Sequence, residues 1–270
     1  MATTLLQRAG RPTETRRKTA AALRADPALL EDATMPPRPC SAVLLSAVLL
    51  AALSASAGPP AEAPRDEVLA AALRGYACAR AEGVVQRPML GVIDYTLPST
   101  EPRLWLIDAR SGRVERSALV SHGRGSGGLR ATRFSNVPES HRSSLGLFVT
   151  GRSYTGRHGR SLRLYGLEPG VNDLAYERAI VVHGAWYATA KHAARYGRLG
   201  RSHGCPAVAP DVAPAVLDAL EDGAVLFVYG DDPTWLRRWR GDDACQIDAE
   251  LAQEPDGSSS SSIASLSSRP

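Results

Sequence analysis

The chain has 270 residues, of which 44% are hydrophobic and 22% charged, so it can bury one globular core with dispensable ends. Its net charge of +4 at pH 7 favours residence near polyanionic surfaces. Aromatic residues make up only 6%, and no basic stripe is interleaved with them, which argues against nucleic acid as a partner.

Residues 1–34 mix Arg, Lys, Asp and Glu with no apolar core. They read as an extension upstream of the true start at Met35. Residues 35–57 have the three parts of a secretory signal: Arg38, the apolar run Ser41–Leu53, and small residues at Ala55-Ser56-Ala57. The run is shorter than the ~20 residues needed to cross a bilayer. Cleavage, with no stable membrane span afterwards, is the expectation. Cys40 precedes the run, so lipidation is not expected.

Asp66–Ala81 reads as an amphipathic helix, with Val68, Leu69, Ala72, Leu73 and Tyr76 at helical spacing. From Met89 the period becomes two. Met89–Tyr95, Arg103–Asp108, Arg113–Val120, Ser144–Thr150, Ser161–Tyr165 and Ala179–His183 read as strands. Ser121–Gly128 and Gly151–Gly159 read as glycine-rich loops. A helix is expected over Trp186–Tyr196 and another over Asp211–Leu220, where Pro214 is tolerable in the first turn. Ala224–Tyr229 is a final apolar strand, and the Ser-rich stretch from Gly257 lacks any core-forming pattern. The expected organisation is a mainly β domain at 65–250 with a few peripheral helices, followed by a disordered tail at 251–270.

Of the four cysteines, Cys40 leaves with the signal, and Cys78, Cys205 and Cys245 remain. Three thiols in an oxidising compartment suggest one bridge and one free thiol. A Cys78–Cys245 bridge would tie the first helix to the C-terminal end of the domain.

The densest chemical signal is Ser202-His203-Gly204-Cys205, between the strand ending at His183 and the helix near Asp211. A glycine before the cysteine lets backbone N–H groups converge on one oxygen. A thiol is a useful nucleophile as thiolate, and a nearby imidazole supplies the means. His183, followed by Gly184, is the candidate base. A structural thiol usually sits within an apolar run, whereas Cys205 has Gly and Pro as neighbours. His122 is a candidate for the cleft lining. His158, His141 and His192 read as solvated surface residues, and Trp186 and Tyr187 read equally as cleft wall or core. The run Gly123–Gly128 lacks the Lys-Ser/Thr of a phosphate loop.

Ile180-Val181-Val182-His183-Gly184, with Ser202-His203-Gly204-Cys205 downstream, resembles the signature of the YkuD-like L,D-transpeptidases. Ser143–Thr150 and Gly223–Val228 resemble that family's upstream and closing strands. The resemblance implies a β-sandwich or partly open barrel. It implies Cys205 as nucleophile, His183 as base, the Gly184 carbonyl as orienter of the imidazole, and the amides of Gly204 and Cys205 as the oxyanion pocket. Ser202 and His203 match the family's rim. Read from the residues, Arg201 and His122 are candidate substrate contacts, and Asn136 and Ser144 fit substrate contact and local turn bonding equally. The substrate it implies is a peptidoglycan stem peptide, handled in the periplasm or cell wall without metal or organic cofactor. An amine acceptor gives a crosslink, and water gives an L,D-carboxypeptidase. The family usually has an apolar residue and then Arg after the cysteine, where this chain has Pro206-Ala207. Two rivals stand beside this reading. One is a zinc hydrolase using His122, His183, His203 and Cys205. The other is a non-catalytic wall-binding protein.

Overall fold

The computed structural model describes residues 63–240 and 247–253. The expected extension, the signal segment, Cys245 and the Ser-rich tail beyond Gln253 lie outside them. Helix α1 (Asp66–Ala81) occupies the span its periodicity implies, with Val68, Ala71, Ala72, Gly75, Cys78 and Ala79 buried. Cys78 is disulfide-bonded and Cys205 is free.

Among the described residues, eight strands form one sheet. In chain order they are β1 (Met89–Asp94), β2 (Leu104–Asp108), β3 (Val114–Ala118), β4 (Gly146–Gly156), β5 (Gly159–Gly166), β6 (Val181–Gly184), β7 (Ala207–Val208) and β8 (Val225–Tyr229). Their spatial order is β3-β2-β1-β8-β4-β5-β6-β7. Every residue of β8 is buried, because it pairs in parallel with β1 and antiparallel with β4. Just beyond β3, Ser121 bridges Ala207 of β7, and its N–H donates to the Ala207 carbonyl at 2.7 Å. The two edges of the sheet thus meet and nearly close a barrel, which leaves few backbone groups unpaired at either edge.

Three local expectations change. Gly151–Gly159 is no loop: β4 continues through it and turns at Arg157-His158 into β5. Its glycines serve the hairpin. A Cβ on Gly151 would meet the Tyr165 ring at 2.6 Å, beside a register shift between Thr150 and Ser153, and Gly159 has φ +74. The helix expected over 186–196 is divided into a 3-10 turn, Trp186–Ala188, and α2 (Ala190–Tyr196). Thr189 divides them by accepting from the His192 N–H at 3.2 Å as N-cap. Helix α3 (Ala213–Leu220) begins two residues later than its pattern suggested.

Helix α4 (Pro233–Arg240) was not anticipated. Asp232 accepts from the N–H groups of Thr234 and Trp235, both at 3.0 Å, and Pro233 occupies the first position. Trp235 and Trp239, one turn apart, pack against Phe227 and donate to Glu168 Oε2 at 3.2 and 3.1 Å. Glu168 Oε1 accepts from the Leu147 N–H at 2.7 Å. Burial pushes this carboxyl up to about 7, against the pull of those three donors. Among the described residues no helix is long and apolar enough to cross a membrane.

Glu168 therefore fastens α4 to the sheet. Glu168→Ala leaves three buried N–H groups without an acceptor, at about 1–3 kcal/mol each. Chemical denaturation of the variant is expected to show an unfolding free energy at least ~3 kcal/mol below that of the parent protein.

Candidate active site

The short parallel pairing of β6 with β7 sets His183 opposite Ala207 and Gly184 opposite Val208. The His183 N–H also donates to the Pro206 carbonyl at 3.3 Å. Continuing that register sets Cys205 level with Val181, two residues before His183, an offset of about 6.6 Å along the strand. Val181 and His183 share a face of β6, and Ser161, which pairs with His183, lies on the same side of β5. Val181, Ser161 and Cys205 all line one open cavity of about 550 Å³. The His183 side chain is therefore directed to the face that carries the thiol.

The imidazole is buried, 1% exposed, and its Nδ1 lies 3.0 Å from the Gly184 carbonyl. A carbonyl only accepts, so Nδ1 carries the proton and Nε2 keeps its lone pair. Burial lowers the His183 pKa below its ordinary 6.5, and the His158 and Arg157 charges add to the effect, while the Gly184 bond opposes it. Burial likewise raises the Cys205 thiol above its ordinary 9.0. The Val181 N–H, Arg157, Arg178 and the thiol's own backbone N–H act in the other direction. At rest both groups are neutral, and Sγ leans on the Ala179 carbonyl at 3.7 Å.

The loop bearing Cys205 is held by backbone contacts. Gly204 has φ +131, and a Cβ there would meet the Arg142 carbonyl oxygen and Ile180 Cδ1, each at 2.9 Å. Ser143 Oγ donates to the Gly204 carbonyl and accepts from the Gly123 N–H, both at 3.0 Å. Ser202 Oγ donates to the Cys205 carbonyl at 2.6 Å and accepts from the Gly204 N–H at 3.1 Å. The Gly204 amide is thereby occupied, and the N–H groups facing the sulfur are those of Val181 and Cys205. Val181 was missed by sequence reasoning, since backbone donors leave no residue-type signal.

Of the other expected contacts, His203 lines the cavity and its ring lies 4.4 Å from that of His141. His122 does not line it. His122 is 1% exposed, and its Nδ1 accepts from Arg103 Nη2 at 2.9 Å. Burial and the Arg103 charge push it down to about 3. Ser202 is buried in the loop and acts on the backbone around Cys205. Ser144 donates to the Ser135 carbonyl and accepts from Arg178, away from the cavity wall. Asn136 joins Asp173 to the Leu174 N–H and lines a different hollow. Arg201 donates to the Gly127 carbonyl at 2.9 Å and also lines another hollow. The cations at the Cys205 cavity are Arg157 and Arg178. His158, read as a solvated loop residue, lines the same cavity and stacks on His183, with centroids 4.4 Å apart. Its signal was hidden by the misread hairpin. Among the described residues no three His, Cys, Asp or Glu side chains form a group able to hold a metal. The donor set of the zinc reading is thus not assembled.

A nearly closed barrel carries a free thiol and a Gly-tethered imidazole on one face, and comparison with known families places it. The model of the L,D-transpeptidase catalytic domain family, YkuD_2, matches residues 61–229, and the chain belongs to that family. No curated protein matches the sequence. Among solved structures, an L,D-transpeptidase from Mycobacterium smegmatis is 18% identical, covering 53% of this chain and 59% of that one, with a TM-score of 0.33. One from Mycobacterium tuberculosis H37Rv is 15% identical, with 53% and 58% covered and a TM-score of 0.35. One from Stackebrandtia nassauensis is 15% identical, with 55% and 58% covered and a TM-score of 0.33. The chain thus spans less than two thirds of the length of each of these.

With the thiol raised above 9.0, below about 1% is thiolate at pH 7. Alkylation of Cys205 by iodoacetamide, followed by mass spectrometry across pH, is expected to climb through a midpoint above 9 and to be slow at neutrality.

Proposed function

We propose that this protein is an exported acyltransferase that acts on peptidoglycan stem peptides through a Cys205 thioester, with His183 as base. The observations that carry the reading are a free thiol in an open cavity and a β6 histidine, directed to the same face, whose Nδ1 is tied to Gly184. In acylation the His183 Nε2 takes the Cys205 proton as sulfur attacks the carbonyl of the L–D peptide bond. The developing oxyanion meets the Cys205 N–H and the positive field of Arg178. The C–N bond then breaks, His183 returns the proton to the departing D-residue amine, and the thioester remains. An acceptor amine next attacks the thioester carbon. Its proton passes through His183 to sulfur, and the thiol is restored. Water in place of the amine gives the carboxypeptidase outcome.

Arg157 and Arg178 supply the positive charge that the family's Arg after the cysteine would bring. They suit a donor that ends in a carboxylate. Export is supported by the tripartite segment at 35–57 and by the disulfide at Cys78, because such bonds persist in oxidising compartments. The Cys78–Cys245 pairing belongs to the same proposal.

Incubation with a carbapenem is expected to add one covalent adduct, seen by intact mass and abolished in Cys205→Ala. His183→Ala is expected to slow donor cleavage by about 10²–10⁴-fold. Defined tetrapeptide muropeptides should yield released D-residue with dimers, whereas tripeptide alone identifies the hydrolase. A folded protein with no adduct and unchanged muropeptides leaves the non-catalytic wall-binding reading in its place.

A further inference from the structure

The tip of the β4–β5 hairpin stands between two cavities. On one side lies the Cys205 cavity, and on the other a second of about 670 Å³, walled by Gly184, Trp186, Tyr187, Pro214 and Leu217. Arg157 and His158 line both. The His158 ring is stacked on the buried His183 ring, with centroids 4.4 Å apart and planes at 23°. Trp186, on the far wall, is 72% exposed.

A two-substrate transfer needs two proton acceptors. The acceptor arrives as an ammonium and must lose one proton before its nitrogen can attack, then a second as the new amide forms. His183 is committed to the second, since it must reprotonate the sulfur. Face-to-face rings do not aim N–H groups at each other, so the His158–His183 pair cannot pass a proton directly between its members. Resting on the acyl-transfer reading above, we propose that His158 is a second catalytic base, which deprotonates the acceptor's ammonium group as it enters from the Trp186 side.

The chemistry balances. The ammonium gives one proton to His158, which releases it to solvent. The nitrogen lone pair forms the C–N bond, the C–S bond breaks, and the remaining proton travels through His183 to Cys205. His158 Nε2 already accepts from Arg157 Nε at 3.2 Å, so its lone pair is available to a cationic donor. An incoming ammonium replaces one such donor with another of the same charge. Burial and the Arg157 charge both lower the His158 pKa below 6.5, which keeps the ring unprotonated at neutral pH.

The test compares His158→Gln, which retains an acceptor for Arg157, with the parent protein in two separate steps. Acylation is read as the rate of carbapenem adduct formation. Transfer is read as dimer formation between a stem tetrapeptide and a second, tripeptide stem. Acylation within about threefold of the parent, with transfer reduced tenfold or more and hydrolysis taking a larger share, is the expected result. An equal fall in both steps means that His158 merely holds His183 in place and overturns the proposal, as does unchanged transfer. If the parent protein itself forms no adduct, the acyl-transfer reading fails and this proposal with it.

Discussion

Three stretches of main chain meet beneath Cys205 with almost no side chain between them. A Cβ on Gly123 would lie 2.4 Å from the His141 carbonyl oxygen and 3.0 Å from the Gly204 Cα, and one on Gly125 would lie 2.4 Å from the Ser140 carbonyl oxygen. This approach exists because the sheet closes on itself. The Ser121–Ala207 bridge draws the strand after β3 onto β7, and the Gly123–Ser202 bridge continues the contact into the cysteine loop. Behind it sits Arg103, fully buried, which donates to the Val120 carbonyl through Nε and Nη2 and to the Leu97 carbonyl through Nη1. A buried cation is tolerated when its donors are all used. Each of the three guanidinium nitrogens of Arg103 has a partner, in backbone oxygens and His122, and the group lies 5.0 Å from the Tyr95 ring centroid. The barrel seam thus determines where the thiol stands.

The same seam explains which parts of the site were legible in the sequence. The β6 histidine and the loop cysteine stood out as candidates because both occur in short runs with glycine neighbours. The roles of the surrounding polar residues were not. His122, Ser202 and Ser144 look like cleft residues by type, yet each is consumed by structure. For His122 and Ser144 the deciding partners, Arg103 and Arg178, come from other segments of the chain, whereas Ser202 is taken up by the Cys205 carbonyl within its own loop. A hydrogen bond between distant segments leaves no local pattern.

The fold shows a similar division. Elements with a clean local pattern were readable, α1 from its helical spacing and β8 from its unbroken apolar run. The arms of the β4–β5 hairpin were expected as strands, but its outer half was read as a loop because of its glycines, whereas one of them makes room for Tyr165. Helix α4 is short, but Asp232-Pro233 followed by Trp235 and Trp239 one turn apart was a sufficient signal: a cap, a first-position proline and an apolar stripe. Its anchor, Glu168, carries no such signal, since a lone acidic residue after a strand is usually solvated.

A resting thiol held above its ordinary pKa, with an imidazole held below its own on the same face, has a consequence for the proposed catalysis. The neutral pair is the form that burial favours, so the site does not store charge before the substrate arrives. In the proposed acyl transfer, charge develops only as the proton moves from sulfur to His183, and at that moment the donors facing the sulfur gain most. Interactions that strengthen between ground state and transition state are the ones that raise a rate. The occupied Gly204 amide matters here. With that N–H committed to Ser202, the oxyanion of the proposed reaction would depend on the Cys205 N–H and on Arg178. Arg178 donates to neutral oxygens of Ser135, Ser144, Ser140 and Arg142, which leave its charge uncancelled. On the proposed mechanism, a guanidinium anchored in the 135–144 loop takes up charge stabilisation that a second backbone amide would otherwise provide.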